Sequence, residues 1–103
     1  MANLIVPTAR YGLKITTASM APYIRPGEIV CADADAPLAR GVDAVLTLTD
    51  GRHAVRRLVS HRNGIWKFQG YGRACPSLKV RDRDVAAVHT VTAVVGVDGE
   101  VRS

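Results

Sequence analysis

The sequence predicts a mainly β domain, a small barrel or sandwich of short, mostly antiparallel strands, and three observations carry that expectation. Turn signals recur roughly every eight to twelve residues. The runs between them alternate and are rich in β-branched residues. No stretch keeps an apolar period of about 3.6 residues long enough to make a substantial helix. The elements follow in order. Tyr11 to Thr17 alternates and reads as a strand. Ser19 to Ile24 is too short for more than one helical turn, with Ser19 placed to cap its start. Arg25-Pro26-Gly27 is a tight turn, and Glu28 to Ala32 is a strand. Asp33 to Arg40 is a polar loop. Asp43 to Thr49 and His53 to Ser60 form a hairpin across Asp50-Gly51. Arg62-Asn63-Gly64 turns the chain into Ile65 to Gln69. Gly70 to Pro76 is a Gly-containing loop before a short strand, Leu78 to Val80. Val85 to Val95 is the longest strand, and Asp98-Gly99 turns the last residues back.

The 103 residues make one domain, 1–103, large enough to bury a modest core. An apolar content of 48% with 22% charged residues is that of an ordinary globular protein. No run approaches the roughly 18 apolar residues of a membrane span. The first residues lack the basic region and apolar core of a secretion signal, so the expected compartment is the cytoplasm, without membrane contact. Cys31 and Cys75 are the only cysteines and form no C-x-x-C pair, so neither a metal nor a cofactor is expected. Cys31 sits in a strand-like run and reads as a small, buried apolar side chain. His61 and His89 stand alone and read as surface or hydrogen-bonded core histidines.

Fourteen Lys and Arg against nine Asp and Glu give a net charge of +5, and only Lys14, Lys67 and Lys79 are lysines. That balance favours an acidic partner or nucleic acid. The cations are scattered, however, and no basic block appears. Trp66 and Phe68 alternate within one strand; such a pair either stacks on bases or packs one sheet face onto the core.

The segment with the most chemistry in it is Ala18-Ser19-Met20-Ala21-Pro22, followed by Pro26-Gly27-Glu28 and an apolar strand. Later comes Val55-Arg56-Arg57-Leu58 on the second strand of a hairpin. This order and spacing resemble the LexA-like, S24 peptidase family, the C-terminal domains of SOS and phage repressors and UmuD-like proteins. Ala74-Cys75-Pro76-Ser77-Leu78-Lys79-Val80 and the run from Val88 to Val95 resemble later segments of the same family. The resemblance spans roughly residues 10 to 97.

The resemblance implies a Ser-Lys dyad, in which a buried neutral lysine takes the proton of the serine and the serine attacks a peptide carbonyl. Ser19 falls on the nucleophile, and Arg56 falls on the lysine. A guanidinium keeps its proton, so Arg56 is not a general base, and a one-residue shift to Arg57 gives the same result. His53 shares the strand face of Val55 rather than that of Arg56, which makes it a poor substitute. Glu28 stands where the family usually has Asp. Only 18 residues precede Ser19, with no Ala-Gly or Cys-Gly pair among them, so self-cleavage is not expected of this chain.

The leading expectation is an S24-like domain with an altered dyad, working by self-association or by binding a partner. The family implies a homodimer and association with a DNA-binding domain or a regulatory protein. The apolar run from Val85 to Val97, with Val91, Ala93 and Val95, is the expected dimer edge. The alternatives are an active serine peptidase with another base, and a small basic β-barrel that binds nucleic acid.

Overall fold

The computed structural model describes residues 10–71 and 77–102. The chain is mainly β, with a single antiparallel sheet. Its strands are β1 (Arg10–Lys14), β2 (Ile29–Asp33), β3 (Asp43–Leu48), β4 (His53–Arg62), β5 (Ile65–Gln69), β6 (Leu78–Arg81), β7 (Val85–Val95) and β8 (Val101–Arg102). The order across the sheet is β1-β2-β7-β3-β4-β5-β6, and β8 pairs with the end of β7. Cys75 and the Ala74–Pro76 stretch lie outside the described residues.

Turn chemistry sets the hairpins. Asn63 and Gly64 have φ of 54° and 74° between β4 and β5, the left-handed pair a two-residue hairpin needs. Gly51 ends the β3–β4 turn, where the Asp50 carboxylate accepts the Arg52 N–H at 3.0 Å. That backbone bond holds the Asp50 carboxyl below its usual range. Gly96 and Glu100 close the β7–β8 turn with an N–H to carbonyl bond of 2.8 Å.

Adjacent residues of a strand face opposite ways. Val45 and Leu46 of β3 are both fully buried, so both faces of this strand are covered. Val45 belongs to a cluster with Ile15, Met20, Ile24, Val30, Ala32 and Val55. Leu46 belongs to a second cluster with Leu58 and Phe68. The strands β1, β2, β7, β3 and β4 thus curl around the first cluster, and β5 and β6 lie over the second.

Two elements differ from the sequence reading. The Ser19 segment closes as a short hydrogen-bonded turn, but Ser19 does not cap it. Its backbone closes through Ala18, Met20, Ala21, Tyr23 and Ile24, with Ile24 N–H to Met20 O at 3.0 Å, while the Ser19 hydroxyl meets Thr17 rather than a backbone N–H. A separate 3-10 turn lies at Asp82–Asp84, just before β7. The closing strand β7 is not an edge. It lies between β2 on one side and β3 and β8 on the other, and Val91 packs against the first core cluster. Its apolar, β-branched composition reflects burial in the middle of the sheet, so the expected dimer edge is not there. The outer strands of the path are β1 and β6.

Candidate functional site

Ser19 sits in a loop, residues 16–26, that is tied at its base and pinned at its centre. At the base, Ile15 N–H donates to Glu28 O and Gly27 N–H donates to Ile15 O, each at 2.8 Å. Gly27 has a φ of 93°, which glycine adopts freely. At the centre, Met20 and Ile24 are each 2% exposed and enter the first core cluster. Tyr71 N–H donates to Ser19 O at 2.8 Å, and the Tyr71 ring meets Tyr23 edge-on at 4.6 Å. The Ser19 hydroxyl is 3.2 Å from that of Thr17.

A buried ion pair braces the same loop from beyond. Glu28 is 2% exposed. Arg102 of β8 grips both of its carboxylate oxygens at 2.9 Å, and Arg25 N–H donates to it at 2.8 Å. The Arg102 bonds first, then the Arg25 N–H, hold the Glu28 carboxyl down to about 2. Arg102 also donates to Tyr23 O at 3.0 Å, so the last strand clamps the loop directly. Charge-assisted, two-point bonds of this kind are the strong ones. The sequence reading placed Glu28 at a family position but had no signal for Arg102, which is separated from it by 74 residues.

Beside the loop lies a groove of about 420 Å³, lined by Leu13 to Thr17, Met20 and Gly51 to Arg56. Its two long walls are strand ends. Among the described residues, β1 is paired only with β2, and the His53–Arg56 end of β4 is paired only with β3. The curl of the sheet brings these two open strand flanks to the same groove. An extended peptide has the backbone donors and acceptors to fill such a gap.

The basic residues of the groove are Lys14, Arg52, His53 and Arg56. Arg56, at the position of the expected dyad lysine, lines the groove together with Thr17 and Met20, the neighbours of Ser19. Its Nη1 donates to Val55 O at 2.8 Å. His53 Nδ1 is 3.0 Å from the Thr47 hydroxyl, Arg52 is paired with Asp50 at 2.7 Å, and Lys14 is exposed. The register sets Arg57 opposite Asp43 and Arg56 opposite Ala44. Arg57 therefore shares its strand face with Val55, the residue that packs with Met20. Arg57 Cζ lies 4.7 Å from the centre of the Tyr71 ring, the same tyrosine that holds Ser19 O. Burial raises the Tyr71 hydroxyl, and the charge of Asp43 adds to it. Asp43 is itself raised by burial, against the opposing charge of Arg57, and its Oδ1 is buried without a hydrogen-bond partner. Arg57, Tyr71 and Asp43 thus form a second polar cluster on the Ser19 side, which the sequence reading did not assemble.

The other singled-out residues have ordinary partners. His61 Nε2 is 2.7 Å from Asp82 Oδ1, and its ring stacks on Trp66 at 3.6 Å. His89 Nδ1 is 2.8 Å from the Tyr11 hydroxyl. Phe68 is fully buried and cannot stack on a base, and Trp66 is half-buried against the same core cluster. Among the described residues no group of three or more His, Cys, Asp or Glu is placed to hold a metal. No helix among them is long and apolar enough to cross a membrane. Comparison of the chain with models of known protein families and with curated proteins returns no match.

Proposed function

We propose that the domain is a binding module built on a serine-peptidase scaffold of the LexA-like, S24 kind, in which the groove beside Ser19 holds an extended peptide segment without cutting it. The segment belongs to a second copy of the chain, giving a homodimer, or to a regulatory protein partner. The observation that carries this reading is the groove itself: two open strand flanks face each other beside a serine, and the basic side chains around them are the hydrogen-bonded Arg52, His53 and Arg56 and a solvent-exposed Lys14. A lysine becomes a general base when burial strips its proton. Lys14 is exposed, and Arg56 and Arg52 keep theirs. The Arg56 guanidinium instead fixes the Val55 carbonyl and adds positive charge to the groove wall.

The test is cleavage and binding measured side by side. Wild type, Ser19→Ala and Arg56→Lys are incubated with a peptide that carries an upstream arm, and with an active-site phosphonate that labels reactive serines. The expected result is no cleavage and no label for wild type, with self-association or arm binding unchanged in Ser19→Ala. Turnover by wild type that vanishes in Ser19→Ala would establish an active peptidase in place of a binding module. A monomer at tens of micromolar that also ignores the arm peptide would remove the binding reading as well.

A further inference from the structure

The three strands β4, β5 and β6 carry a second groove, of about 520 Å³, on a different part of the sheet. It is lined by Ser60, Arg62, Asn63, Ile65, Lys67, Lys79, Val80 and Arg81. Four of these eight are cations and none is acidic. The register arranges them in two rows across the strands. Ser60 stands opposite Lys67, and Lys67 opposite Lys79. Arg62 stands opposite Ile65, and Ile65 opposite Arg81. Residues two apart share a face, so both rows point the same way. The rows lie about 7 Å apart along the strands, and neighbours within a row about 5 Å apart across them.

This arrangement is unfavourable for the fold alone. Like charges directly opposite one another in a sheet are destabilising. Elsewhere four arginines are ion-paired: Arg10 with Asp33, Arg25 and Arg102 with Glu28, and Arg52 with Asp50. Among the described residues none of Arg62, Lys67, Lys79 and Arg81 is ion-paired. The nearest acidic residue in sequence, Asp82, is engaged by His61. A concave surface with one sign of charge concentrates its field on an incoming anion.

We propose that this groove binds the phosphate backbone of a nucleic acid strand, independently of base sequence. The donor set fits: arginine forks and lysine ammonium groups neutralise phosphates, and Ser60 and Asn63 are the kind of neutral side chain that adds hydrogen bonds to phosphate oxygens. The lining holds no aromatic residue, and Trp66 and Phe68, on either side of Lys67 in the strand, face the other way and pack in the second core cluster. Affinity is therefore electrostatic and carries no base readout. The competing explanation is that Lys79 and Arg81 only guard the outer strand β6 against aggregation. That explanation predicts no phosphate affinity, and it leaves Arg62 and Lys67 on β4 and β5 without a reason. This inference is independent of the groove beside Ser19.

The test is fluorescence anisotropy with labelled single-stranded DNA, single-stranded RNA and duplex DNA, each across a range of salt. Four phosphate contacts give a slope of log K against log salt of about −3 to −4. The variant Lys67→Gln/Lys79→Gln should bind at least tenfold more weakly at low salt and roughly halve the slope. Adding Arg62→Gln and Arg81→Gln should remove the remaining affinity while circular dichroism stays that of a β protein. A charge-matched control, Arg10→Gln/Arg40→Gln, should bind within about twofold of wild type. Comparing the three probes identifies the strand type. Any of three results overturns the proposal: no measurable binding at low salt, equal loss in the control and the groove variants, or polyglutamate bound as tightly as the nucleic acids.

Discussion

Met20→Ala and Ser19→Ala, made side by side, separate the structural role of the Ser-Met pair from any chemical one. Met20 is 2% exposed and packs with Ile15, Ile24, Val30 and Val55. Removing its side chain forfeits the transfer term of a buried methionine and leaves a cavity, together about 3 kcal/mol within a usual range of about 2–5. For a domain of this size that lowers Tm by roughly 12–24 °C. Ser19 is half-exposed, and among the described residues its hydroxyl meets the Thr17 hydroxyl, in a bond exposed to solvent. Its loss costs about 0.5 kcal/mol or less. The loop is thus held by methionine and isoleucine, with serine as a passenger. The assay is thermal and urea unfolding of both variants, with proteolysis to locate the loosened segment. Met20→Ala should open the chain near residues 16–26 first. If Ser19→Ala is as destabilising as Met20→Ala, or if Met20→Ala costs less than about 1 kcal/mol, the loop is not anchored as argued.

Three further outcomes are expected. The Glu28 carboxyl sits near 2 in the folded chain and in its ordinary range near 4.5 when unfolded, so its contribution is present above the unfolded value. That contribution should be lost as pH falls from about 5 towards 2, and Glu28→Gln should flatten this acid limb in urea titrations at a series of pH values. Asp43 behaves oppositely: burial raises its carboxyl, so its contribution favours folding at low pH and weakens as pH rises through its folded value. Asp43→Asn should therefore be neutral or stabilising at pH 7, and a clear loss of stability there would show that the Arg57 contact outweighs burial. Arg102→Ala should free the Ser19 loop as well as the last strand, seen as faster hydrogen exchange at Ile15 and Gly27; protection unchanged at both would show that β8 does not brace the loop.

The strands were legible because their signals are local. Asn63-Gly64 and Asp50-Gly51 mark hairpins by backbone chemistry alone, and Val85 to Val95 has the composition of a strand whatever its neighbours. Where that strand lies was not legible. An apolar, β-branched run suits an exposed edge needing a partner and a central strand equally, and only the pairing of β7 with β2 and β3 decides. The Ser19 loop was visible as a motif, but its supports were not. Arg102 reaches Glu28 from the last strand, and Tyr71 reaches Ser19 from a loop 52 residues on, 71 minus 19. Neither partner has a local pattern that announces it. The four cations of the second groove looked scattered along the chain because cross-strand register, not sequence proximity, gathers them.

The doubly covered strand β3 has a thermodynamic consequence. Val45 and Leu46 are consecutive residues with no room to move on either side, so the two clusters share a party wall. Neither half can melt while the other keeps its shape, because losing one set of contacts exposes the back of the strand that the other requires. Calorimetry should therefore record one transition with equal van't Hoff and calorimetric enthalpies, and Phe68→Ala should lower the same transition that Met20→Ala lowers.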